Sequence, residues 1–441
     1  MTARTYFIGK RLMDDIVCKF GGSSVAEARQ IRKVEAIIRS DPHRRYIVVS
    51  APGKRSSQDE KITDLLYTCQ SLAAEGKSYE QPFQAVGNRF LQIDRELETG
   101  SEIRGWLEEL RRQLDSGASA DLAASRGEYL CARLLAAHLK AEFVDSAEII
   151  QLDRNDAVAE SSYRRTAEKL AGPGLYVIPG FYGSDSHGQI KTFSRGGSDI
   201  TGALVAKALN AREYENWTDV SGLLRADPGI VRDPQPMAQV TYREIRELSY
   251  MGAKVLHEEA ILPVYEPKIP IHIRNTNRPE DPGTVISAER NSQVRPIAGV
   301  AGRSGLGLLY LEKFLLRKHP QYRSKVLEIL AIHGVDLEWE RWGIDSLLLL
   351  VPEKQLAEKG EALRGVIGEE LDPDHLEILG NMAVIAVVGE GLSKRPDITV
   401  TVLQRLDQRD IRLRLIEQGS SRISALLVVQ AEQFNRAVQT I

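Results

Sequence analysis

Hydrophobic positions in the first 280 residues alternate between short apolar runs and stretches with helical spacing. Residues 15–20, 46–51 and 177–181 are apolar runs of strand length, and each runs into a turn of small or polar residues. Residues 26–39 and 128–140 instead place their apolar side chains on one face of a helix. Strands that alternate with helices favour an α/β fold, a mostly parallel sheet covered on both faces. Ligands bind such sheets at the carboxyl ends of the strands.

The pattern changes after a polar, turn-rich stretch at residues 275–283, where the sequence predicts a domain boundary. Beyond it lies a β-α-β-β-α-β pattern, with strands at 306–312, 336–342, 346–352 and 375–380 and helices at 320–333 and 354–367. A second such pattern has strands at 382–389, 411–417 and 422–430 and helices at 396–408 and 432–440. It is one strand short, and a spare strand at 296–301 precedes the first pattern. We therefore predict a domain over 15–288 and two nested ferredoxin-like modules, 305–380 and 295–302 plus 382–441.

Composition narrows the class of protein. The 58 basic and 61 acidic residues give a net charge of −3, so nucleic acid and acidic membranes are not expected as partners. The three cysteines are scattered without a CxxC pair, which argues against a zinc site or a disulfide framework. The sequence has neither a signal-peptide pattern nor an apolar run long enough to span a bilayer. A cytoplasmic protein is expected.

Four short segments carry residues suited to chemistry. Lys19 ends the first predicted strand at a Gly-Gly-Ser-Ser turn, where backbone N–H groups and a helix N-terminus can bind phosphate. Arg195 and Asp199 lie in a second glycine-rich turn that opens a helix, and arginine can bind a carboxylate with two parallel hydrogen bonds. The other two segments are residues 216–222 and the stretch around Lys254. Each one taken alone is also compatible with an ordinary turn, helix cap or surface lysine.

Taken together and in this order, these segments resemble the aspartate kinase family. The matching stretches are KFGGSS, VVSAPGK, KITDLL, SRGEYL, IPGFYG, TFSRGGSDITG, WTDVSG, ELSYMGAKVLH and IRNT, spread over residues 15–288. The later stretches VIAVVGEG and EQGSS are similar to the second of the family's paired ligand-binding ACT modules. The resemblance implies a three-layer αβα amino-acid-kinase domain followed by two ACT modules, and ATP-dependent phosphorylation of the L-aspartate side chain, the first step from aspartate towards lysine, threonine and methionine.

The resemblance also implies roles for individual residues. It gives catalytic roles to Lys19, Asp199 and Lys254. It assigns the contacts with ATP to Lys19, Gly21, Gly22, Ser23, Thr218, Asp219 and Lys254. It assigns the contacts with aspartate to Ser50, Thr63, Glu128 and Arg195, with Glu128 on the ammonium group and Arg195 on a carboxylate. Mg²⁺ is expected to arrive with ATP and to take few protein ligands.

Regulation is where this sequence departs from the family. The resemblance places an effector site at Gln321, Tyr322, Glu338, Trp342 and Asp345, and a homodimer is expected through the ACT modules. Trp342 stands where a small residue is common, so its indole either fills the effector pocket or points outward.

The nucleotide loop also departs from the family pattern. Gly229 replaces a basic residue of this loop, for which Arg225 or Arg232 is a substitute.

Two other functions stay open at this point. One is another amino acid kinase of the same fold, with glutamate, acetylglutamate, carbamate or a nucleotide as substrate. The other is a regulator that binds nucleotide and amino acid without catalysis. The pairing of Glu128 with Arg195 and the presence of ACT modules disfavour the first, and the intact Lys19, Asp199, Asp219 and Lys254 disfavour the second.

Overall fold

A computed structural model describes residues 14–193, 196–253, 258–419 and 421–441. The chain forms two compact units. The first comprises residues 1–223, 236–243 and 255–290, and the second comprises 224–235, 244–254 and 291–441. Two short segments that lie inside the predicted domain over 15–288 therefore group with the second unit.

The part of the chain up to residue 290 contains twelve strands and ten α-helices among its described residues. The strands are β1 (Ile16–Phe20), β2 (Arg44–Val49), β3 (Glu142–Phe143), β4 (Tyr176–Pro179), β5 (Tyr182–Ser184), β6 (Ile190–Thr192), β7 (Glu213–Thr218), β8 (Leu223–Leu224), β9 (Pro236–Met237), β10 (Gln239–Thr241), β11 (Ile271–Asn275) and β12 (Thr284–Ser287). The helices are α1 (Ala28–Arg39), α2 (Ile62–Ala74), α3 (Glu80–Leu97), α4 (Ile103–Asp115), α5 (Ala120–Leu139), α6 (Ser146–Ile149), α7 (Ser161–Lys169), α8 (Gly197–Leu209), α9 (Tyr242–Tyr250) and α10 (Leu262–Tyr265).

The main sheet of the first unit is the predicted parallel sheet. Its strand order is β10-β12-β11-β7-β1-β2-β4-β3, and of its pairs only β11–β12 is antiparallel. All five residues of β1 are buried, as in a strand covered on both faces. Helix α1 buries the face predicted from its spacing, including Ile31 and Val34. Strand β1 lies between β2 and β7. The chain passes from β1 to β2 on one side and later returns to β7 on the other side, and ligands bind sheets of this kind at such a switch in strand order.

The second unit contains one six-stranded antiparallel sheet in the order β14-β15-β13-β16-β18-β17. Its strands are β13 (Gly299–Glu312), β14 (Trp339–Trp342), β15 (Ser346–Pro352), β16 (His375–Val388), β17 (Leu413–Gln418) and β18 (Ser424–Gln430). Its helices are α11 (Tyr322–Ile332), α12 (Glu353–Leu371), α13 (Asp397–Asp407) and α14 (Phe434–Thr440). Two apolar cores form between helices and sheet, one around Leu309, Val326 and Leu363 and one around Ile385 and Val438.

The two modules share their long central strands. The predicted strands 296–301 and 306–312 are one strand, β13, and the predicted strands 375–380 and 382–389 are likewise one strand, β16. Register shifts lie between Arg303 and Leu308, and Gly305 has a positive φ of 78°. A bulge therefore replaces the predicted break between the strands at 296–301 and 306–312. Residues Gly299–Arg303 pair with the first strand of the second module, which is the pairing that nested modules require.

No helix in the described part of the chain is both long enough and apolar enough to cross a membrane.

Candidate active site

Lys19 lies near the carboxyl end of the central strand β1 and is only 8% exposed. Its Nζ lies 2.6 Å from Oδ1 of Asp199, which is in the first turn of α8. The same ammonium donates a hydrogen bond to Oδ1 of Asn216 on β7 at 3.4 Å, and the Asn216 amide donates to Asp199 Oδ1 at 2.9 Å. This closed triangle holds a buried positive charge in place at the ligand-binding edge of the sheet.

The glycine turn after Lys19 packs by backbone contact against the loop that follows β2. Gly53 N donates to Gly22 O at 2.9 Å, and a Cβ on Gly53 would lie 2.7 Å from the carbonyl carbon of Gly22. Only glycine fits so close an approach. A Cβ on Gly21 would lie 3.5 Å from Lys19 Nζ, so the ammonium lies directly beside the turn. The turn, which includes Ser23, continues into a 3₁₀ helix over Gly22–Val25.

Glu128 is a second buried charged residue near these loops that the sequence singled out. It lies on α5, next to Gly127, where a Cβ would lie 2.8 Å from the Cβ of Ala51 in the loop after β2. Glu128 is 5% exposed, and its Oε2 has no hydrogen-bond partner among the described residues. Burial raises the pKa of this carboxyl to about 8, against the opposing effects of a hydrogen bond from the Ala51 backbone and the charge of Arg126. A ligand with a hydrogen-bond donor could satisfy this buried oxygen.

Of four further predicted residues, Ser50, Thr218 and Asp219 lie at or beside strand ends, and Thr63 lies in the first turn of a helix. Ser50 follows β2, and its N–H donates to the Phe20 carbonyl at 3.1 Å. Thr63 is the second residue of α2 and is half-buried. Thr218 ends β7, and its hydroxyl donates to Asp219, which is exposed. Because β2, β1 and β7 are parallel neighbours, their carboxyl ends meet at one edge.

Two predicted residues, Arg195 and Lys254, lie outside the residues that the structure describes. Their roles stay predictions. Conversely, sequence reasoning missed Asn216, although the segment that contains it was singled out. The signal was available, since a polar side chain in a strand buried on both faces requires a partner.

A cluster that could hold a metal lies elsewhere on the same sheet. It consists of Glu213 and Glu215 on β7 and His272 on β11, and no other such cluster occurs among the described residues. The Glu215 carboxylate already accepts from Arg44 at 2.8 and 3.0 Å and from Arg274 at 3.1 Å. Both ring nitrogens of His272 lie 2.8 Å from acceptors, the Glu213 carboxylate and the Pro282 carbonyl. The carboxylates and the imidazole of this cluster therefore already have hydrogen-bond partners. We interpret the cluster as a structural ion-pair network.

Comparison with known proteins decides the family. A profile of the amino acid kinase family matches residues 15–275, and an ACT domain profile matches residues 385–441. Aspartokinase 3 of Bacillus subtilis is 34% identical over 444 residues, covering 96% of this chain and 97% of that protein. The chain belongs to the aspartate kinase family.

Solved structures of the family agree in fold over nearly the whole chain. The aspartate kinase of Clostridium acetobutylicum has a TM-score of 0.92 at 43% identity, covering 97% of this chain and 99% of that one. Aspartokinase III of E. coli, solved with aspartate and ADP, has a TM-score of 0.71 at 26% identity and covers 97% and 98%. The same E. coli enzyme has also been solved with lysine and aspartate, with a TM-score of 0.72 at 25% identity and coverage of 96% and 98%.

The five residues of the predicted effector site have different surroundings in the structure, and their role stays a prediction. Tyr322 and Trp342 both pack against the core of the first module, whereas the Glu338 carboxylate pairs with Arg303 at 2.5 Å. Gln321 is exposed and Asp345 is half-buried. The indole of Trp342 therefore lies on the side of β14 that faces the helices, where its Nε1 is buried without a partner among the described residues.

The proposed substitute for the missing basic residue of the nucleotide loop is engaged elsewhere. The Arg225 guanidinium donates to the carbonyls of Ile297 and Ala298 at 2.6 and 3.2 Å. Ile230, which follows Gly229 in the same loop, packs against the core of the second module. The Gln439 amide on α14 also donates to the Ile230 carbonyl at 2.7 Å. This leaves Arg232 as the remaining candidate next to Gly229.

Proposed function

We propose that the chain transfers the γ-phosphoryl group of ATP to the side-chain carboxylate of L-aspartate at the carboxyl end of β1. The observation that carries this proposal is the buried Lys19 ammonium, held by Asp199 and Asn216 beside a glycine turn. Phosphoryl transfer depends chiefly on positioning and on neutralising charge, and a fixed ammonium beside backbone N–H groups supplies both. The E. coli relative that binds aspartate and ADP supports the choice of ligands.

Each residue near β1 then has a physical task. Lys19, together with Lys254, contacts the migrating phosphoryl group and the β–γ bridge, and Asp199 orients the lysines. Gly21, Gly22 and Ser23 contact the phosphates. The acceptor carboxylate is already ionised at neutral pH, so the reaction requires no general base.

The residues proposed to bind the nucleotide lie at the end of β7. Thr218 and Asp219 lie at the same edge as Lys19 and contact ATP in this proposal. Mg²⁺ enters with ATP, where it neutralises phosphate charge. The exposed Asp219 carboxylate suits an oxygen-preferring cation, whereas Asp199 Oδ1 is already engaged by Lys19 and Asn216.

The amino-acid side is built around Glu128. The ammonium group of aspartate supplies the partner that the buried Glu128 Oε2 lacks, and Ser50 and Thr63 line the approach between α2 and the loop after β2. Arg195 binds a carboxylate of aspartate in this arrangement. A replacement at Arg195 is therefore expected to weaken aspartate binding selectively.

Arg195→Ala is expected to raise the KM for aspartate by one to two orders of magnitude, since it removes a bidentate charged contact of about 1.5–3 kcal/mol. The KM for ATP should change by less than a factor of about three. Steady-state kinetics with each substrate varied in turn measure both values. Equal losses for ATP and aspartate would place Arg195 on the nucleotide instead.

The reaction itself is tested by coupled ADP release with a panel of acids: L-aspartate, L-glutamate, N-acetylglutamate, carbamate and a nucleoside monophosphate. The proposal predicts ADP release with aspartate and little with the others. Turnover with another acid would assign the chain to a different amino acid kinase. Binding of ATP and aspartate without turnover would instead indicate a regulator without catalytic activity.

We further infer that the first ACT module does not respond to lysine alone as an open effector pocket would. The supporting observation is that Trp342 packs into the module core, with Arg323 held 5.9 Å from its ring centre. An amino-acid effector requires room and exposed backbone groups, and the indole takes part of that room.

The expected result is weak or no inhibition when lysine and threonine, singly and together, are titrated into the kinase assay. The double variant Trp342→Ser with Gln321→Gly should then gain sensitivity, because it clears the pocket and exposes backbone. Gln321→Gly alone is the matched control. Strong inhibition of the unchanged enzyme by sub-millimolar lysine would show that the pocket is open.

The ACT modules are also our candidate for a homodimer interface. Strands β14 and β17 form the two edges of the described sheet. Phe314 and Ile344, at neighbouring turns of the first module, are 70% and 72% exposed. Unpaired strand edges and exposed apolar side chains favour association with a second copy.

A further inference from the structure

The IRNT stretch, residues 273–276, has no role in the proposed reaction, yet it includes two almost completely buried polar side chains. Thr276 is 1% exposed and Asn275 is 5% exposed, at the carboxyl end of β11. Strand β11 lies beside β7 in the sheet, on the side of β7 away from β1. Because buried polar groups are ordinarily hydrogen-bonded, the partners of these two side chains show what the stretch holds in place.

Thr276 joins the two segments that we propose to bind ATP. Its hydroxyl lies 2.7 Å from the hydroxyl of Ser24, which is 2% exposed and belongs to the glycine turn after β1. Its backbone N–H donates to the Thr218 carbonyl at 2.8 Å, at the end of β7. Thr276 thus reaches past β7 from β11 and links the glycine turn to the strand end beside it.

Two further contacts complete this link. The N–H of Gly21 donates to the Trp217 carbonyl at 3.0 Å, so the start of the glycine turn is bonded to β7 directly. The Asn275 amide donates to the Ser221 hydroxyl at 2.8 Å, which ties the loop after β7 to β11. The glycine turn is therefore attached at both of its ends, through Gly21 to β7 and through Ser24 to the residue that follows β11.

We propose that Thr276 is a positioning residue for nucleotide binding, which fixes the spacing between the glycine turn and the end of β7 through its hydroxyl contact with Ser24. This inference rests on the proposed function, in which the glycine turn and Thr218 contact the same ATP molecule. Backbone N–H groups bind phosphate well where they already point at it, and a preorganised site loses less binding free energy to ordering. The Thr276 hydroxyl does not touch the nucleotide in this account and acts through Ser24.

The test measures the Kd for MgADP by calorimetry and the KM for ATP and for aspartate by steady-state kinetics. Thr276→Val keeps the side-chain shape and the backbone bond to Thr218 but lacks the hydroxyl, so the Kd for MgADP and the KM for ATP should both rise about fivefold to tenfold. The KM for aspartate and kcat should change by less than a factor of about two to three. Thr276→Ser keeps a hydroxyl and should restore most of the affinity.

Thr166→Val is the matched control. Thr166 on α7 is 3% exposed, and its hydroxyl donates to the Ile149 carbonyl at 3.3 Å. The control therefore removes another buried threonine hydroxyl without touching the glycine turn or β7. It should leave the Kd for MgADP and both KM values unchanged.

The double variant Ser24→Ala with Thr276→Val separates positioning from stability. Each single variant leaves one buried hydroxyl without this partner, whereas the double variant leaves none, so it should unfold closer to the temperature of the unchanged protein. Its affinity for MgADP should nevertheless stay as low as that of Thr276→Val, because the link is still absent. Affinity that recovers together with stability would overturn the inference.

Other outcomes are equally decisive. A Thr276→Val variant that binds MgADP as the unchanged protein does, or one that raises the KM for aspartate as much as that for ATP, would also overturn the inference. If Thr276→Val does not fold, Ser24→Ala tests the same contact from its other side, with the same expected rise in the KM for ATP. Failure of the unchanged protein to bind MgADP would instead contradict the proposed function, and the inference with it.

Discussion

Lys19→Ala is expected to lower kcat by a factor of about 10² or more while the chain still folds. The variant removes the ammonium beside the glycine turn and with it the charge that stabilises the phosphoryl group in the transition state. It also leaves Asp199 with Asn216 as its remaining partner of the triangle. Some loss of stability is therefore expected together with the loss of turnover.

Two controls separate catalysis from stability. Lys33→Ala removes a lysine from α1, the helix that follows the turn, where its Nζ donates to Asn277 at 2.7 Å, and should leave turnover unchanged. The double variant Lys19→Met with Asp199→Asn removes both charges of the pair, so it should unfold closer to the parent temperature and stay inactive. Near-normal kcat in either folded Lys19 variant would remove Lys19 from the mechanism.

Glu128→Gln should raise the KM for aspartate by one to two orders of magnitude. It replaces a charged partner of the substrate ammonium, worth about 1.5–3 kcal/mol, by a neutral amide of the same shape. In the unchanged enzyme, kcat/KM for aspartate should rise with pH until Glu128 is ionised, near its raised pKa of about 8. The variant should lose that limb. A pH profile that is the same with and without Glu128 would show that another group controls aspartate binding.

Glu128→Gln weakens aspartate binding in this account, but it should stabilise the folded state. Because burial raises the pKa of Glu128 from 4.5 to about 8, the folded state keeps a proton that the unfolded state releases between these values. The stability that this proton confers is complete below about pH 4.5 and is lost as the pH rises through 8. Glu128→Gln does not ionise, so thermal unfolding should show a stabilisation that grows from about pH 5 to pH 8 and then levels off. A constant difference across that range would mean that Glu128 is not buried as a free carboxyl.

Much of the active-site edge could be predicted from local sequence. The glycine turn at residues 21–24 follows an apolar strand, and parallel strands bring their carboxyl ends to one edge. The Lys19–Asp199 contact joins residues far apart in the sequence, and the sequence linked these two residues only through the roles that the family resemblance implies. Asn216 completes that contact but carries no local signal beyond being polar in a buried strand.

The ACT region was harder to predict for two physical reasons. The sequence predicts two strands on either side of Arg303, but a bulge lets β13 continue and serve both modules. Alternation along β14 places Trp339 and Trp342 on opposite faces, yet only the packing of the helices decides which face is the core.

The central claim is that aspartate receives the phosphoryl group on its side-chain carboxylate. Hydroxylamine trapping tests it directly, because an acyl phosphate reacts with hydroxylamine to give a hydroxamate. With ATP, Mg²⁺ and L-aspartate, the account predicts aspartyl β-hydroxamate in amounts that match the ADP released, and a rate lower by a factor of about 10² or more with Lys19→Ala. ADP release without the hydroxamate, or a hydroxamate formed only from another acid, would contradict it.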